Sequence, residues 1–366
     1  MRFVTSFFAL LLTVHAVILA FNVWDDGDGR LWRGYPEESS LALRMLQGHD
    51  LAGPQQMRSR ALAAEMIRQA TVPPQAVVLG SSRTLLIGEA LLGVKGIRNH
   101  SISSARLPDY LGVIGLYHNQ GVALSKVIIG ADAWIFKDEK INVAPLEPGV
   151  RAVARRVGVD VGGLGLDEAI PWRSYFSLKK AQTALARRGV GEGPCAELRD
   201  LGNEDSPCPV KRHDGTLRYP LEVRSRPAEA VDDIVRIGAR GGMPTFHDYR
   251  QLDPGRVEAF ERVLTMLKQL GSDVLIVLVP YHPIVENFNR DRKDGKLAVA
   301  AERVIREVAA KVDFPVVGSY SAARAGCRND EFYDADHPKE SCMRTILAPA
   351  VEAMFPSQKV QKVDKY

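Results

Sequence analysis

The stretch Ala76-Val77-Val78-Leu79-Gly80-Ser81-Ser82-Arg83-Thr84-Leu85-Leu86 decides how this chain is read. A short apolar run rich in β-branched residues stops at Gly80-Ser81-Ser82 and resumes from Thr84 to Leu92, the pattern of a buried strand, a tight turn and a helix. Ser82 then falls where strand gives way to helix. The first amides of a helix lack internal partners and carry partial positive charge, which suits a serine oxygen and any oxyanion that develops beside it. The plainer reading is that Ser81 or Ser82 only caps the helix, and this segment alone favours the cap. The segment Asp334-Ala335-Asp336-His337-Pro338, far along the chain, shifts the weight toward chemistry.

Outward from this block, strand and helix patterns alternate, as in a parallel sheet covered on both faces. Glu37 to Gln47 and Gln55 to Gln69 read as helices ahead of the Val77 strand. Gly96 to Asn99 reads as a second strand, Pro108 to Asn119 as a helix, and Val127 to Asp132 as a third strand and its exit. Pro254 to Leu270 predicts a helix into the strongest buried strand, Asp273 to Pro280. Leu297 to Lys311, Phe314 to Gly318 and Met343 to Phe355 add helix, strand and closing helix. Between Trp134 and Phe246 glycines multiply and only one helix, near Ser174 to Arg188, is convincing, so an insertion over the carboxyl edge of the sheet is expected. The division is an apolar amino-terminal segment (1–24), linker and helices (25–72), first core half (73–136), insertion (137–250), second core half (251–356) and tail (357–366). The fold class expected is α/β: a flavodoxin-like three-layer α/β/α domain on a mainly parallel five-stranded sheet.

Each core strand ends in polar residues: Ser81-Ser82, Ser101 to Ser104, Asp132, Tyr281-His282 and the turn Asp334 to His337. A parallel sheet gathers those ends on one edge. An acyl-transfer serine needs a base to take its proton and a third group to orient that base. Ser82 offers the nucleophile, His337 the base and Asp334 the orienting carboxylate.

In order and wording these segments resemble the SGNH, or GDSL-like, hydrolase superfamily, in particular its membrane-anchored bacterial branch associated with acylation or deacylation of cell-surface polysaccharides. Gly80-Ser81-Ser82 is similar to the family's Gly-Asp-Ser block, with Ser81 in place of aspartate, and Asp334-Ala335-Asp336-His337-Pro338 matches its Asp-x-x-His-Pro block. The resemblance covers Val77 to Asp132 and Asp273 to Phe355. It implies an oxyanion site built from the amides of Ser82 and Ser104, the latter standing where the family has glycine. The third block, Gly130-Ala131-Asp132, has aspartate where the family's asparagine donates, and an ionised carboxylate there would oppose an oxyanion. The implied activity is that of a serine esterase or O-acyltransferase on ester-linked acyl groups, acetyl foremost, of envelope or extracellular carbohydrate. The competing reading is a catalytically impaired protein that binds glycan or a partner in polysaccharide assembly or export.

Arg83, His282 and Trp134 are further candidates for substrate contact, against plainer roles: a lone histidine and a tryptophan are more often structural. Arg83, in a helix's first turn, would need a partner such as Asp132. His282, Asp334, Asp336 and His337 offer metal ligands in a third reading, but without recognisable ligand spacing, so neither metal nor cofactor is expected.

The chain has 366 residues, with 48 Lys+Arg against 44 Asp+Glu, which leaves no nucleic-acid footprint. Phe3 to Trp24 is almost wholly apolar between Arg2 and the acidic Asp25-Asp26-Gly27-Asp28, which predicts an uncleaved single-pass anchor in the inner membrane with the body in the periplasm or outside the cell. A signal peptide cut after Val14-His15-Ala16 is the rival. The four cysteines agree with export and suggest two local disulfides, Cys195–Cys208 and Cys327–Cys342, with reduced buried cysteines as the alternative.

Overall fold

The computed structural model describes residues 2–25, 35–53, 58–139, 141–160, 162–164, 175–189, 195, 199–200 and 205–356. The acidic cluster after the apolar segment, most of the glycine-rich run 189–194 and the tail 357–366 lie outside them.

Nine strands form two sheets among the described residues. The main one contains β2 (Ala76–Leu79), β3 (Ile97–Asn99), β4 (Lys126–Gly130), β8 (Asp273–Leu278) and β9 (Val316–Gly318), in the order β3-β2-β4-β8-β9, all parallel. Counted along this sheet the order is 2-1-3-4-5, the flavodoxin-like arrangement whose first and third strands diverge to leave a crevice at their carboxyl ends. Strand alternation divides the core. Val77, Leu79, Val127, Ile129, Val274 and Ile276 face one apolar layer, and Ala76, Val78, Ile128, Leu275 and Val277 face the other. The first layer is built from α3 (Ser59–Gln69), α4 (Leu107–Asn119), α5 (Glu147–Val157), α8 (Pro254–Gln269) and α10 (Lys293–Lys311). The second is built from Leu86 to Val94 and α11 (Glu340–Met354).

The insertion holds more regular structure than expected. Among the described residues it holds three longer helices, α5, α6 (Leu178–Gly189) and α7 (Ala228–Ala239), and a single helical turn at Leu221–Arg224, not one helix. Helix α5 also lies in the first helical layer and not over the carboxyl edge. It crosses α4 so closely that a Cβ on Gly115 would stand 2.0 Å from the Gly149 carbonyl oxygen, and one on Gly149 would stand 2.0 Å from that of Gly112. Its apolar face, Val150, Val153 and Ala154, lies opposite arginines. Three short strands of the insertion, β5 (Arg199–Asp200), β6 (Val210–Lys211) and β7 (Leu217–Arg218), join β1 (Leu51–Ala52) from ahead of the core in a small antiparallel sheet of order β5-β1-β6-β7. The β6–β7 turn does reach the carboxyl edge: Asp214 O accepts from Asn99 N at 2.7 Å, and Gly215, at φ +90°, lies against Asn99, where a Cβ would meet its carbonyl oxygen at 2.1 Å.

The second disagreement is at Thr84 to Leu92. In place of a continuous helix there is a single 3₁₀ turn, Ser82–Thr84, and a separate helical turn at Glu89–Leu92. The carbonyls a helix would use are taken elsewhere: Asn99 Nδ2 donates to Thr84 O and Ile87 O, both at 2.8 Å, and Leu217 N donates to Leu85 O at 2.9 Å.

At the amino terminus, α1 (Arg2–Asp25) is exposed from Val4 to Val17, and Val4–Asp25 is long and apolar enough to cross a membrane. Asn22 near its end is buried and donates to Tyr175 O at 2.7 Å and Ser177 O at 3.1 Å, fixing α1 to the start of α6. Both cysteine pairs are disulfide-bonded, Cys195 to Cys208 and Cys327 to Cys342.

Candidate active site

Ser82 leaves β2 through a turn in which Ser81, not Ser82, is the cap: Ser81 Oγ accepts from Arg83 N at 3.2 Å. That frees the half-buried Ser82 hydroxyl to point across the sheet edge. Its Oγ lies 2.8 Å from His337 Nε2, although 255 residues separate the two. With only a three-residue 3₁₀ turn behind it, the helix dipole invoked from sequence has little to act through.

His337 and Asp334 share one turn. Nδ1 stands 2.9 Å from each Asp334 oxygen, and Asp334 Oδ1 also accepts from the backbone amides of Asp336 at 3.0 Å and His337 at 2.9 Å. Because Nδ1 faces carboxylate oxygens, it carries the ring proton, leaving Nε2 as acceptor for the Ser82 hydroxyl. Asp336 adds a second carboxylate, its Oδ1 3.5 Å from Nδ1. Burial pulls the His337 pKa down, but the Asp334 hydrogen bond and the charges of Asp336 and Asp334 outweigh it, and the net shift is upward. Burial likewise pushes Asp334 up, yet the hydrogen bond and charge of His337 and two backbone amides leave it lowered. Asp336, buried beside a like charge, is raised.

The turn is braced from several sides. His282 N donates to Ala335 O at 3.0 Å, Tyr333 N to His337 O at 2.9 Å, and the Cys327–Cys342 disulfide closes around it. Arg83 joins it to the serine turn: Nε donates to Asp336 O at 3.1 Å, one terminal nitrogen to Asp132 Oδ1 at 2.9 Å, and the other to Val279 O. The guanidinium lies 4.0 Å from the Tyr281 ring centroid and 5.6 Å from that of Trp134.

These contacts correct the other expected assignments. Arg83 does find Asp132 as its partner, but its side chain is wholly buried and fully used, so it cannot reach a substrate. Asp132 is 1 % exposed beneath the site and is held in that ion pair, so it does not stand at an oxyanion position. Burial raises its pKa against the opposing pull of the Arg83 charge and the Ser81 hydroxyl. His282 is 0 % exposed, with Nδ1 accepting from Ile284 N, and Trp134 is 1 % exposed, with Nε1 donating to Ala105 O at 3.0 Å. Both are packing groups; Trp134 steadies the loop that carries Ser104. Ser104 itself is exposed and has φ +54°, the left-handed region that favours glycine, the residue the resembling block has there.

Three contributors were not singled out from sequence. Asn99 fixes the serine turn by donating to Thr84 O and Ile87 O, while its Oδ1 accepts from Ser101 N at 2.8 Å. Tyr219 packs its ring 4.6 Å from that of Tyr333 and 6.1 Å from that of His337. Lys211 lines a pocket beside it. The position of Asn99 at a strand end was a usable signal; Tyr219 and Lys211, in two-residue strands or their flanks, gave none.

No protein-family model matches the chain, and no curated protein matches it. Among solved structures it is similar to a crystal structure of a candidate acylhydrolase from Bacteroides fragilis, at 10% identity and a TM-score of 0.36, covering 79% of this chain and 94% of that one. A likeness so remote carries no argument about activity, and the reading of the site rests on its own geometry.

Proposed function

We propose that this chain is a serine esterase or O-acyltransferase of SGNH type, acting on ester-linked acyl groups of envelope or extracellular carbohydrate. The observation that carries the reading is the continuous relay from Ser82 Oγ through His337 to Asp334, 2.8 Å and 2.9 Å in its two links. His337 Nε2 takes the Ser82 proton as Oγ bonds to the acyl carbon. The imidazolium, held by Asp334, returns that proton to the departing alkoxide as the ester C–O bond breaks, leaving an acyl-serine. Water or a sugar hydroxyl then gives its proton to His337 and attacks the acyl carbon, releasing Ser82 with its proton restored. The amides of Ser82 and Ser104 are the oxyanion donors in this reading, and Asp132 is not one.

The exposed apolar helix α1 and the two disulfides support a body outside the cytoplasm, anchored in the inner membrane. Polysaccharide-assembly proteins are the partners proposed. The test is a fluorophosphonate probe on the full-length protein in detergent: an adduct on Ser82, located by mass spectrometry, is expected. No adduct, together with glycan binding that persists in Ser82→Ala, would favour the non-catalytic binding protein. A second reading follows from Asp334, Asp336 and His337, whose ligand atoms lie within 4.8 Å of one another and so fit a divalent cation. Turnover that survives exhaustive chelation removes it.

A further inference from the structure

Beside the triad lies a pocket of about 350 Å³, walled by Leu62, Leu85, Leu217, Val223 and Tyr219, with Ser103 at its rim and Lys211 in its lining. Tyr219 is the shared wall, since its ring also flanks His337. The volume falls in the range of ligand pockets, roughly 300–1,000 Å³, and is more than an acetyl group requires.

Lys211 is the anomaly in this apolar surround. Its ammonium donates to Gly215 O at 2.6 Å and, among the described residues, pairs with no carboxylate. The nearest in sequence, Asp214, is already committed: Oδ1 accepts from Thr216 N at 2.9 Å and Thr216 Oγ1 at 2.6 Å, and Oδ2 accepts from Glu89 N at 2.9 Å. Burial draws the Lys211 pKa down to about 8, against the charge of Asp214. Lys211 is half-buried, and its ammonium has one carbonyl partner and two further N–H donors that an anion in the pocket can take up.

We infer that this pocket takes an acyl chain ending in a carboxylate, with Lys211 as its counter-ion, so that the substrate is a half-ester of a dicarboxylic acid. The methylene chain lies along the leucine and tyrosine walls, and the far carboxylate meets the ammonium. This rests on the esterase reading. The same carboxylate chemistry could come from an acidic sugar, which the experiment separates.

Full-length protein in detergent is assayed with 4-nitrophenyl hydrogen adipate and 4-nitrophenyl hexanoate, which differ in the terminal carboxylate, and with acetyl esters of a uronic acid and of a neutral sugar. A hydrogen-bonded charge pair predicts a kcat/KM preference for the adipate ester of roughly 10- to 100-fold. Lys211→Met should collapse that ratio, and Lys211→Arg should restore most of it. Equal turnover of both nitrophenyl esters by the wild type, or a preference that survives Lys211→Met, overturns the proposal. A preference confined to the acetylated uronic acid and lost in Lys211→Met places the carboxylate on the sugar and overturns the acyl-end assignment. If neither nitrophenyl ester is turned over, the esterase reading fails on its own, and calorimetry with adipate still decides: binding about tenfold weaker in Lys211→Met upholds the pocket assignment, and no binding overturns it.

Discussion

The turn Asp334 to His337 and the pair Arg83–Asp132 are both charged clusters at the carboxyl edge of one sheet, yet they are built in opposite ways. The turn is half open, with His337 and Asp334 side chains 19% and 40% exposed, and is held by backbone hydrogen bonds and a disulfide. The pair is closed, at 0% and 2%, and is held by charge and aromatic packing. Chemistry needs the first arrangement, because a base must meet solvent or substrate to exchange its proton. Precise placement of Ser82 is served by the second, because Arg83 reaches Asp132, Val279 O and Asp336 O at once. Asp132, which stands where the resembling block has asparagine, is thus matched by Arg83, the neighbour of the proposed nucleophile.

The comparison is broken most severely at the open cluster. Ser82→Ala and His337→Ala should each lower ester turnover by about 10⁴-fold or more, and the double variant should lose little beyond either single one, since nucleophile and base act as a unit. Steady-state kinetics on the three proteins check this. Additive losses would show that the 2.8 Å contact between Ser82 and His337 is not used in the reaction.

At the closed cluster the largest effect is on stability. From sequence alone, Asp132→Asn would relieve an oxyanion of a like charge and raise activity. In the structure it leaves a buried guanidinium unpaired, at a cost of roughly 3–5 kcal/mol. Denaturant unfolding should register that loss, together with reduced turnover as the serine turn loosens. Adding Arg83→Met should recover part of the stability, because no orphan charge remains, without recovering activity, because the link to Asp336 O is gone. Higher turnover in Asp132→Asn would return Asp132 to the oxyanion position.

A smaller loss follows from unclasping the turn. Cys327 and Cys342 are 15 residues apart, and a loop of that size is worth roughly 3 kcal/mol in the chain-entropy model. The double serine variant should unfold at lower denaturant and lose turnover more than labelling at saturating probe, since Ser82 lies outside the loop. Unchanged kinetics would show that the backbone bonds at Tyr333 and His282 suffice.

The contrast also explains what could be read in advance. The sheet was legible because its strands are continuous apolar runs; Ser82 was legible as a reactive type at the end of β2, and Asp334 and His337 as a carboxylate and an imidazole sharing one short turn before the closing helix, well past the end of β9. Arg83 and Asp132 were linked because a cation in a helix's first turn calls for a partner, but their depth was not visible in residue type. The segment after Ser82 was misread because apolar residues with helical spacing meet Asn99 and Leu217, which claim the carbonyls a helix would need. Lys211 and Tyr219 depend on β1 pairing with β6 across more than 150 residues, in strands of two residues each, too short for any periodic signal.

The finest test uses pH, and the size of the shift separates the two carboxylates that face His337. The folded-state pKa of His337 lies above its ordinary value, so the imidazole is protonated at a higher pH than a free one and cannot act as base below that point. The acid limb of kcat/KM should therefore lie above the usual imidazole range. Asp334→Asn removes the hydrogen-bonded partner at 2.9 Å and should move the limb to lower pH while cutting the plateau rate. Asp336→Asn removes a charge at 3.5 Å and should move the limb the same way by less, with the smaller change in plateau. Stability follows by linkage: a raised histidine pKa contributes stability that is fully present below the unfolded value and is lost as pH rises through the folded one. Unfolding free energy measured across that window should fall with rising pH in the wild type and less so in Asp334→Asn. A limb that stays in place in both asparagine variants would mean that the titrating base is not His337.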